Sequence, residues 1–310
     1  MKLIVALHLL NLSEKGSLME NFIQQLINGL SLGSIYALIA LGYTMVYGII
    51  KLINFAHGEI YMVGAFVGYA TINILHLGLI PSLIISMVVC AILGAIIERV
   101  AYKPLRKATR VAALITAIGV SFLVQNSMIY LVGPQVRAFP QVITKKVYNL
   151  GSIQVNQTQI TIFATTIVLM LALQFIVKQT KMGKAMRAVS TDADAARLMG
   201  INVDNVISFT FILGSALAGA AGVLVGMYYN SIDPMMGVVP GLKAFIAAVL
   251  GGIGIIPGAL LGGFTIGIIE TLISGYGSSL VKDAVVYLIL IIILIVKPTG
   301  LLGKNTKEKV

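Results

Sequence analysis

The sequence predicts an all-α, polytopic membrane protein with about eight transmembrane helices and a glycine-rich helical hairpin near the C-terminus. Three observations carry this expectation. The first is composition: 58% of the 310 residues are hydrophobic and 11% are charged, against about 25% charged in an ordinary soluble domain. The second is the recurrence of charge-free apolar runs long enough for a helix to cross a hydrocarbon layer about 30 Å thick. A β-barrel would instead show short alternating segments. The third is the placement of basic charge. Of the 22 Lys and Arg, five fall in 99–110, five in 178–197 and four in 297–309. All three are short segments beside apolar runs. The net charge of +11 therefore reads as a cytoplasmic bias and not as a nucleic-acid surface.

Taken in order, residues 1–19 begin with a basic, apolar stretch (MKLIVALHLLNL) too short to span and without a small-residue cleavage pattern. They read as an N-terminal extension, with Met19 as an alternative start. Residues 21–50 form 30 positions without a charge, long for one crossing unless tilted or broken. Residues 60–97 hold two crossings, split at His76-Leu77-Gly78-Leu79-Ile80-Pro81. Single crossings are expected at 111–132, 160–177 and 206–229. Between 240 and 275 the run from Gly251 to Gly258 (GGIGIIPG) interrupts an apolar segment too long for one helix and cramped for two. Glycine and proline at membrane depth are tolerated where protein or a water cavity satisfies the freed backbone, which favours a hairpin of half-spanning helices. Residues 280–296, nearly all Ile, Leu and Val, should face lipid widely. A basic cytoplasmic tail, 301–310, closes the chain.

The basic clusters place 98–110, 178–205 and the C-terminus in the cytoplasm. The segment 133–159 then lies outside, where β-prone flanks around Gly151-Ser152 predict a small hairpin. Counting back puts 51–58 inside and the N-terminus outside. Gly214, Ala218, Gly222 and Gly226 recur four apart, a small-residue face along which helices approach closely.

Few groups at membrane depth carry chemistry, since burying a charge there costs at least about 2.5–3.5 kcal/mol. Asn54, His57 and Glu59 sit at a helix break and are passage or gate candidates, or else polar contacts tying two helices together near the cytoplasmic surface. Lys243 and Glu270 are further candidates, and Glu270 is suited to pair with Lys243. Gln125 and Asn126 supply amides to an otherwise apolar passage. No metal site is expected, because His8, His57 and His76 lie far apart and no HExxH pairing exists. No nucleophile elbow or phosphate-binding glycine loop is present, so neither an enzyme nor a cofactor site is expected. The single cysteine, Cys90, lies in an apolar run and reads as a core residue.

The polar stretch 187–200, RAVSTDADAARLMG, stands between two apolar runs as a water-exposed connector of helical character. Asp192 and Asp194 near its start suit a helix dipole, and Gly200 suits a terminating turn. Arg187 and Arg197 are placed to meet acidic rims on a partner. This stretch through Gly200-Ile201-Asn202, together with Gly33 to Gly42 running into Ile53-Asn54-Phe55-Ala56-His57-Gly58-Glu59, and with Gly241 to Gly267, resembles the LivH-type permease subunit of branched-chain amino acid ABC transporters. The similarity covers about residues 20–300, which makes that span a permease domain. It implies an inner-membrane passage for leucine, isoleucine and valine, beside a second homologous permease subunit. Two cytoplasmic ABC ATPase subunits and a periplasmic substrate-binding protein would complete the importer. It carries Asp194, Ala195, Ala196 and Gly200 over as the ATPase-coupling loop. Asp194 stands where the older importer pattern has Glu, and the later Ile-x-Leu-Pro of that pattern is missing. The rival reading is a secondary carrier or channel for small solutes working without an ATPase, which needs intramembrane acids or a repeat-based ion site.

Overall fold

An unbroken helix, α1 (Lys2–Ile50), runs through the whole of the first charge-free stretch. The structure, a computed structural model, describes residues 2–303 except Lys107 and Lys145, with side chains from Leu18 onward apart from those of Arg110 and Leu150. Met1, the side chains of residues 2–17 in the extension expected at 1–19, and the tail beyond Gly303 therefore lie outside what is described. The apolar part of α1, Leu18–Ile50, has 33 residues, about 50 Å at 1.5 Å per residue. Every residue from Ser31 to Val46 is buried. A helix apolar on all sides belongs in the middle of a bundle, and α1 is the central post.

The next two crossings are α2 (His57–Asn73) and α3 (Leu79–Ile97), parted where the sequence predicts. α3 continues into a five-residue π turn, Glu98–Tyr102. α4 (Arg110–Val132) starts on Thr109, whose side chain accepts from the Ala112 N–H. The outer segment then carries β1 (Arg137–Ala138) and a hairpin of β2 (Val147–Leu150) and β3 (Ile153–Asn156). The hairpin turns at Gly151, whose φ of 68° suits a residue without Cβ. α5 (Gln157–Gln179) returns to the cytoplasmic side, where α6 (Lys181–Thr191) and α7 (Ala193–Leu198) form the connector. α8 (Val203–Tyr229) crosses outward and ends in β4 (Ser231–Ile232), which pairs antiparallel with β1. That pairing, invisible in local patterning, clips the outer end of α8 to the segment after α4.

α9 (Val238–Gly251), α10 (Ile256–Tyr276) and α11 (Lys282–Val296) complete the chain. The glycine-rich hairpin forms, but its arms are unequal. α9 has 14 residues and α10 has 21, about 21 and 31 Å. So α9 alone is a half-length arm, and α10 is a full crossing. Pro257 falls in the first turn of α10, where the missing N–H costs nothing. Among the described residues, six helices are long and apolar enough to cross by themselves: α1, α3, α4, α5, α8 and α10. α2, α9 and α11 are shorter, and α2 and α9 start within the bundle. α11 keeps only Val286 buried, as expected of a lipid-facing helix.

α1 packs on α10 along one side and on α8 along the other, with α2 and α3 wrapped around α8. Backbone contact sets these spacings. A Cβ on Gly222 of α8 would lie 2.3 Å from the Tyr61 carbonyl of α2, and one on Gly267 of α10 would lie 2.3 Å from the Gly33 nitrogen of α1. With apolar lipid outside, such close packing is what holds helices together.

Candidate functional site

The groups around the start of α2 form the first cluster. After Lys51, in a left-handed turn with φ of 55°, the chain 52–56 folds back into the bundle before α2 begins. His57 packs so closely on α1 that a Cβ on Gly42 would lie 2.3 Å from its Nε2. The Tyr43 ring meets the imidazole edge-on at 4.7 Å. Gly42 lies eight residues before the end of α1, about 12 Å inside it. The sequence leaves His57 and Glu59 open between passage lining and contacts near the cytoplasmic surface; the fold sets both inside the bundle, because the 52–56 segment re-enters. The start of α9 meets them there. A Cβ on Gly237 would lie 2.6 Å from the Gly58 carbonyl and 2.7 Å from Glu59 Oε2.

Glu59 is 2% exposed. Its Oε1 accepts from the Ser121 hydroxyl of α4 at 3.3 Å, and its Oε2 has no donor. His57 Nε2 is also without a partner. Asn54 Oδ1 accepts from the Tyr102 hydroxyl at 3.0 Å, which ties the re-entrant segment to the π turn, while its Nδ2 is unpaired. Beside Glu59 lies a cavity of about 120 Å³ between α1, α2, α4 and α9. Gln125 is buried one turn beyond Ser121 on α4. Asn126 points elsewhere: it is exposed, and its amide donates to the Phe122 carbonyl at 2.8 Å.

Lys243 and Glu270 form a second, separate cluster, and they do pair. Lys243 Nζ lies 2.7 Å from Glu270 Oε1 and 2.6 Å from Asp283 Oδ1. Lys282 adds a second cation 3.3 Å from Glu270 Oε1, and the Tyr36 hydroxyl donates to Oε2 at 2.8 Å. Two cations and two anions balance, and the cluster joins α1, α9, α10 and α11.

The connector is built as a rigid cap. The Asp192 side chain accepts from the Asp194 and Ala195 N–H groups at 2.9 Å, opening α7. α7 closes on Gly200, φ 82°, with the Gly200 N–H donating to the Arg197 carbonyl and the Ile201 N–H to the Ala196 carbonyl, both at 3.0 Å. That is a Schellman turn. Ala195 faces out and Ala196 is buried. Arg197 pairs with Asp194 at 3.0 Å within the helix, and Arg187 donates to the Val177 carbonyl, so neither arginine reaches outward alone. Leu198 and Met199, 88% and 82% exposed, form the outward tip of α7. The sequence analysis passes over them. Their signal is two large apolar residues together inside a polar connector.

A clasp beside the connector also goes unforeseen. Arg106 bridges the fully buried Glu98 and Asp204, Lys103 reaches Asp204 at 3.1 Å, and the Ser208 hydroxyl donates to Glu98 at 2.7 Å. It fastens the π turn to the first turns of α8. The packing residues Gly214, Ala218, Gly222 and Gly226 all meet this same chain. Gly214 faces Gly42, Ala218 is fully buried, Gly222 faces α2, and Gly226 faces the Phe139 ring.

Among the described residues no group of three His, Cys, Asp or Glu could hold a metal. The arrangement offers a cavity between helices, open on one side, and an exposed apolar tip on the connector. Comparison with known proteins fits that reading. The family model for the branched-chain amino acid transport system permease component matches residues 25–294. The high-affinity branched-chain amino acid transport system permease protein LivH of Escherichia coli (strain K12) is 45% identical over 302 residues, covering 93% of this chain and 98% of that one. The corresponding protein BraD of Pseudomonas aeruginosa is 42% identical over 302 residues, covering 94% and 98%. A solved structure, PsaBC from Streptococcus pneumoniae in complex with Fab, covers 88% of this chain and 91% of its own at 15% identity and a TM-score of 0.49. The relatives are named as permease proteins, and the chain is a membrane transport protein and not an enzyme. By both the extent of the family match and the identity to these relatives, the chain belongs to the branched-chain amino acid transport system permease family.

Proposed function

We propose that this chain is the transmembrane permease subunit of an ATP-driven importer, forming the passage for leucine, isoleucine and valine across the bacterial inner membrane. Its partners are a second homologous permease subunit, two cytoplasmic ABC ATPase subunits and a periplasmic substrate-binding protein. The observation that carries this reading is α7. It is a six-residue helix fixed at both ends, by Asp192 and by the turn at Gly200, and it presents Leu198 and Met199 to the cytoplasm. A soluble loop with no partner has no use for an apolar tip on a rigid mount. α7 leads through 199–202 straight into α8, so a pull on the tip acts on α8 and, through the Arg106 clasp, on the end of α3.

Asp194 and the other polar connector residues serve to hold this mount. Asn54, His57, Glu59 and Gln125 border the passage, while Lys243 and Glu270 pin the α9–α10 hairpin. The test is Gly200→Val in the reconstituted importer. A β-branched residue at φ of 82° is strained by about 1–3 kcal/mol. Because no neighbour lies within 4 Å, the fold survives. Uptake should fall with the permease still inserted. Normal ATP-dependent uptake at normal expression would remove the coupling role, and uptake by the lone chain under an ion gradient would replace the importer with a secondary carrier.

A further inference from the structure

The cavity beside Glu59 holds an unanswered charge. Glu59 is 2% exposed, and one of its two oxygens has no donor, although a buried acceptor left unpaired is expensive. The only donor it receives is the Ser121 hydroxyl at 3.3 Å. Glu59 lies in the first turn of the 17-residue α2, where the helix end favours negative charge. No cationic side chain lines the cavity, whose walls besides Ser121 and the Tyr43 ring are apolar, among them Phe55, Ile118 and Leu242. Its volume is about 120 Å³, somewhat less than the roughly 150 Å³ apolar cavity that accepts benzene. That is room for a short branched aliphatic group and one polar head.

The guest these walls call for carries a cationic donor on a small aliphatic body. A metal ion fits poorly, since hard cations take six to eight oxygen ligands and only one carboxylate and two hydroxyls are at hand. An alkyl ammonium fits better, because its three N–H donors can be met by the Glu59 carboxylate, the Ser121 hydroxyl and the Tyr43 ring. The cavity is open toward the face where Ile118, Phe122 and Val238 are exposed, so a third group of the guest can extend from its mouth.

We propose that this cavity is a transient seat for a zwitterionic aliphatic amino acid on its way through the permease. In this state Glu59 Oε2 is closed against Gly237; when α2 and α9 part it accepts from the α-ammonium, while the aliphatic side chain lies on Phe55, Ile118 and Leu242 and the carboxylate stays at the mouth. This rests on the permease reading above and adds to it a place where the chain itself distinguishes cargo, independently of any external capture protein. Glycine at 58, 237 and 241 lets α2 and α9 close to backbone contact beside the seat. The seat therefore changes shape whenever those two helix starts shift.

The experiment uses the permease and ATPase subunits in nanodiscs without the external capture protein, which is added only for uptake, and measures bound tritiated leucine by scintillation proximity. Isoamylamine, which lacks the carboxylate, and 4-methylpentanoate, which lacks the ammonium, serve as competitors. In the wild type isoamylamine should displace leucine and 4-methylpentanoate should not. Glu59→Gln should weaken leucine and isoamylamine binding about ten- to hundredfold, the loss of one charge-assisted hydrogen bond. Glu59→Asp should recover part of it. Ile118→Trp, which fills the cavity from its rim, should abolish the site while leaving assembly intact. Equal competition by both analogues, or unchanged binding in Glu59→Gln, overturns the proposal. Should Glu59→Gln fail to assemble, the wild-type competition decides alone. ATP-dependent uptake by the wild type is measured in parallel: its absence defeats the importer reading, whereas its presence with an indifferent Glu59 defeats only the seat.

Discussion

Replacing Lys243 by Met is the sharpest test of what the buried ion cluster contributes. Lys243 Nζ is held between Glu270 Oε1 at 2.7 Å and Asp283 Oδ1 at 2.6 Å, and Lys243 and Glu270 are 3% and 2% exposed. With Lys243 gone, two carboxylates share one cation, Lys282, at 3.3 Å from Glu270. Breaking a buried pair by removing one partner costs about 3–5 kcal/mol. Lys282 and the Tyr36 hydroxyl remain in place, so the expected loss is at the low end, about 3 kcal/mol. At roughly 2 °C per kcal/mol for a chain of this size, Tm should fall by about 6 °C. The double variant Lys243→Met with Glu270→Leu removes the orphaned charge as well, leaving Asp283 and Lys282 to neutralise each other. It should recover at least about 2 kcal/mol, a strongly non-additive pair. The assay is thermal unfolding in detergent followed with a thiol-reactive fluorophore. The protein has one cysteine, Cys90, which is fully buried in α3, so the dye reports only opening of the core. A double variant less stable than Lys243→Met, or a single variant indistinguishable from wild type, would refute the reasoning.

Three further outcomes are expected. Arg106→Met should cost about 3–5 kcal/mol by the same assay, because Glu98 is then buried with Ser208 as its remaining partner among the described residues; Arg106→Lys should fall between, since a point-like ammonium does not reproduce the planar guanidinium fork. Gly222→Leu should abolish monodisperse protein in size-exclusion chromatography, because its Cβ would sit 2.3 Å from backbone, beyond the roughly 1–3 kcal/mol of ordinary overpacking. Gly119→Ala on α4, with nothing within 4 Å, is the matched control and should gain up to about 1 kcal/mol of helix propensity. Finally, Leu198→Glu with Met199→Glu should leave Tm unchanged, since both side chains are exposed, yet reduce co-purification of the ATPase at least about tenfold in a pull-down.

The legible parts of this protein are those governed by local composition. The break at 74–78, the outer hairpin around Gly151 and the connector between α5 and α8 all fall where charge, proline and glycine place them. The pairing of Lys243 with Glu270 was also readable, because a lone cation and a lone anion at membrane depth have few other choices. Asp283 and Lys282 were not: both look like ordinary residues at a helix start. The re-entry that sets His57 and Glu59 inside the bundle was not legible either, since nothing in 51–56 announces that the chain folds back inward. Arg187 and Arg197 also make contacts within the chain that local sequence does not announce, with the Val177 carbonyl and with Asp194.

Hydrophobic run length suffices to fix membrane class and crossing order, because the cost of placing charge in hydrocarbon is paid residue by residue. What required the assembled bundle is which groups meet: the β1–β4 clip, the Arg106 clasp, the unequal arms of α9 and α10, and the unpaired oxygen of Glu59. These depend on backbone approach between elements up to two hundred residues apart. Such approach is set by small residues on facing helices, and only three-dimensional packing decides which of them face each other.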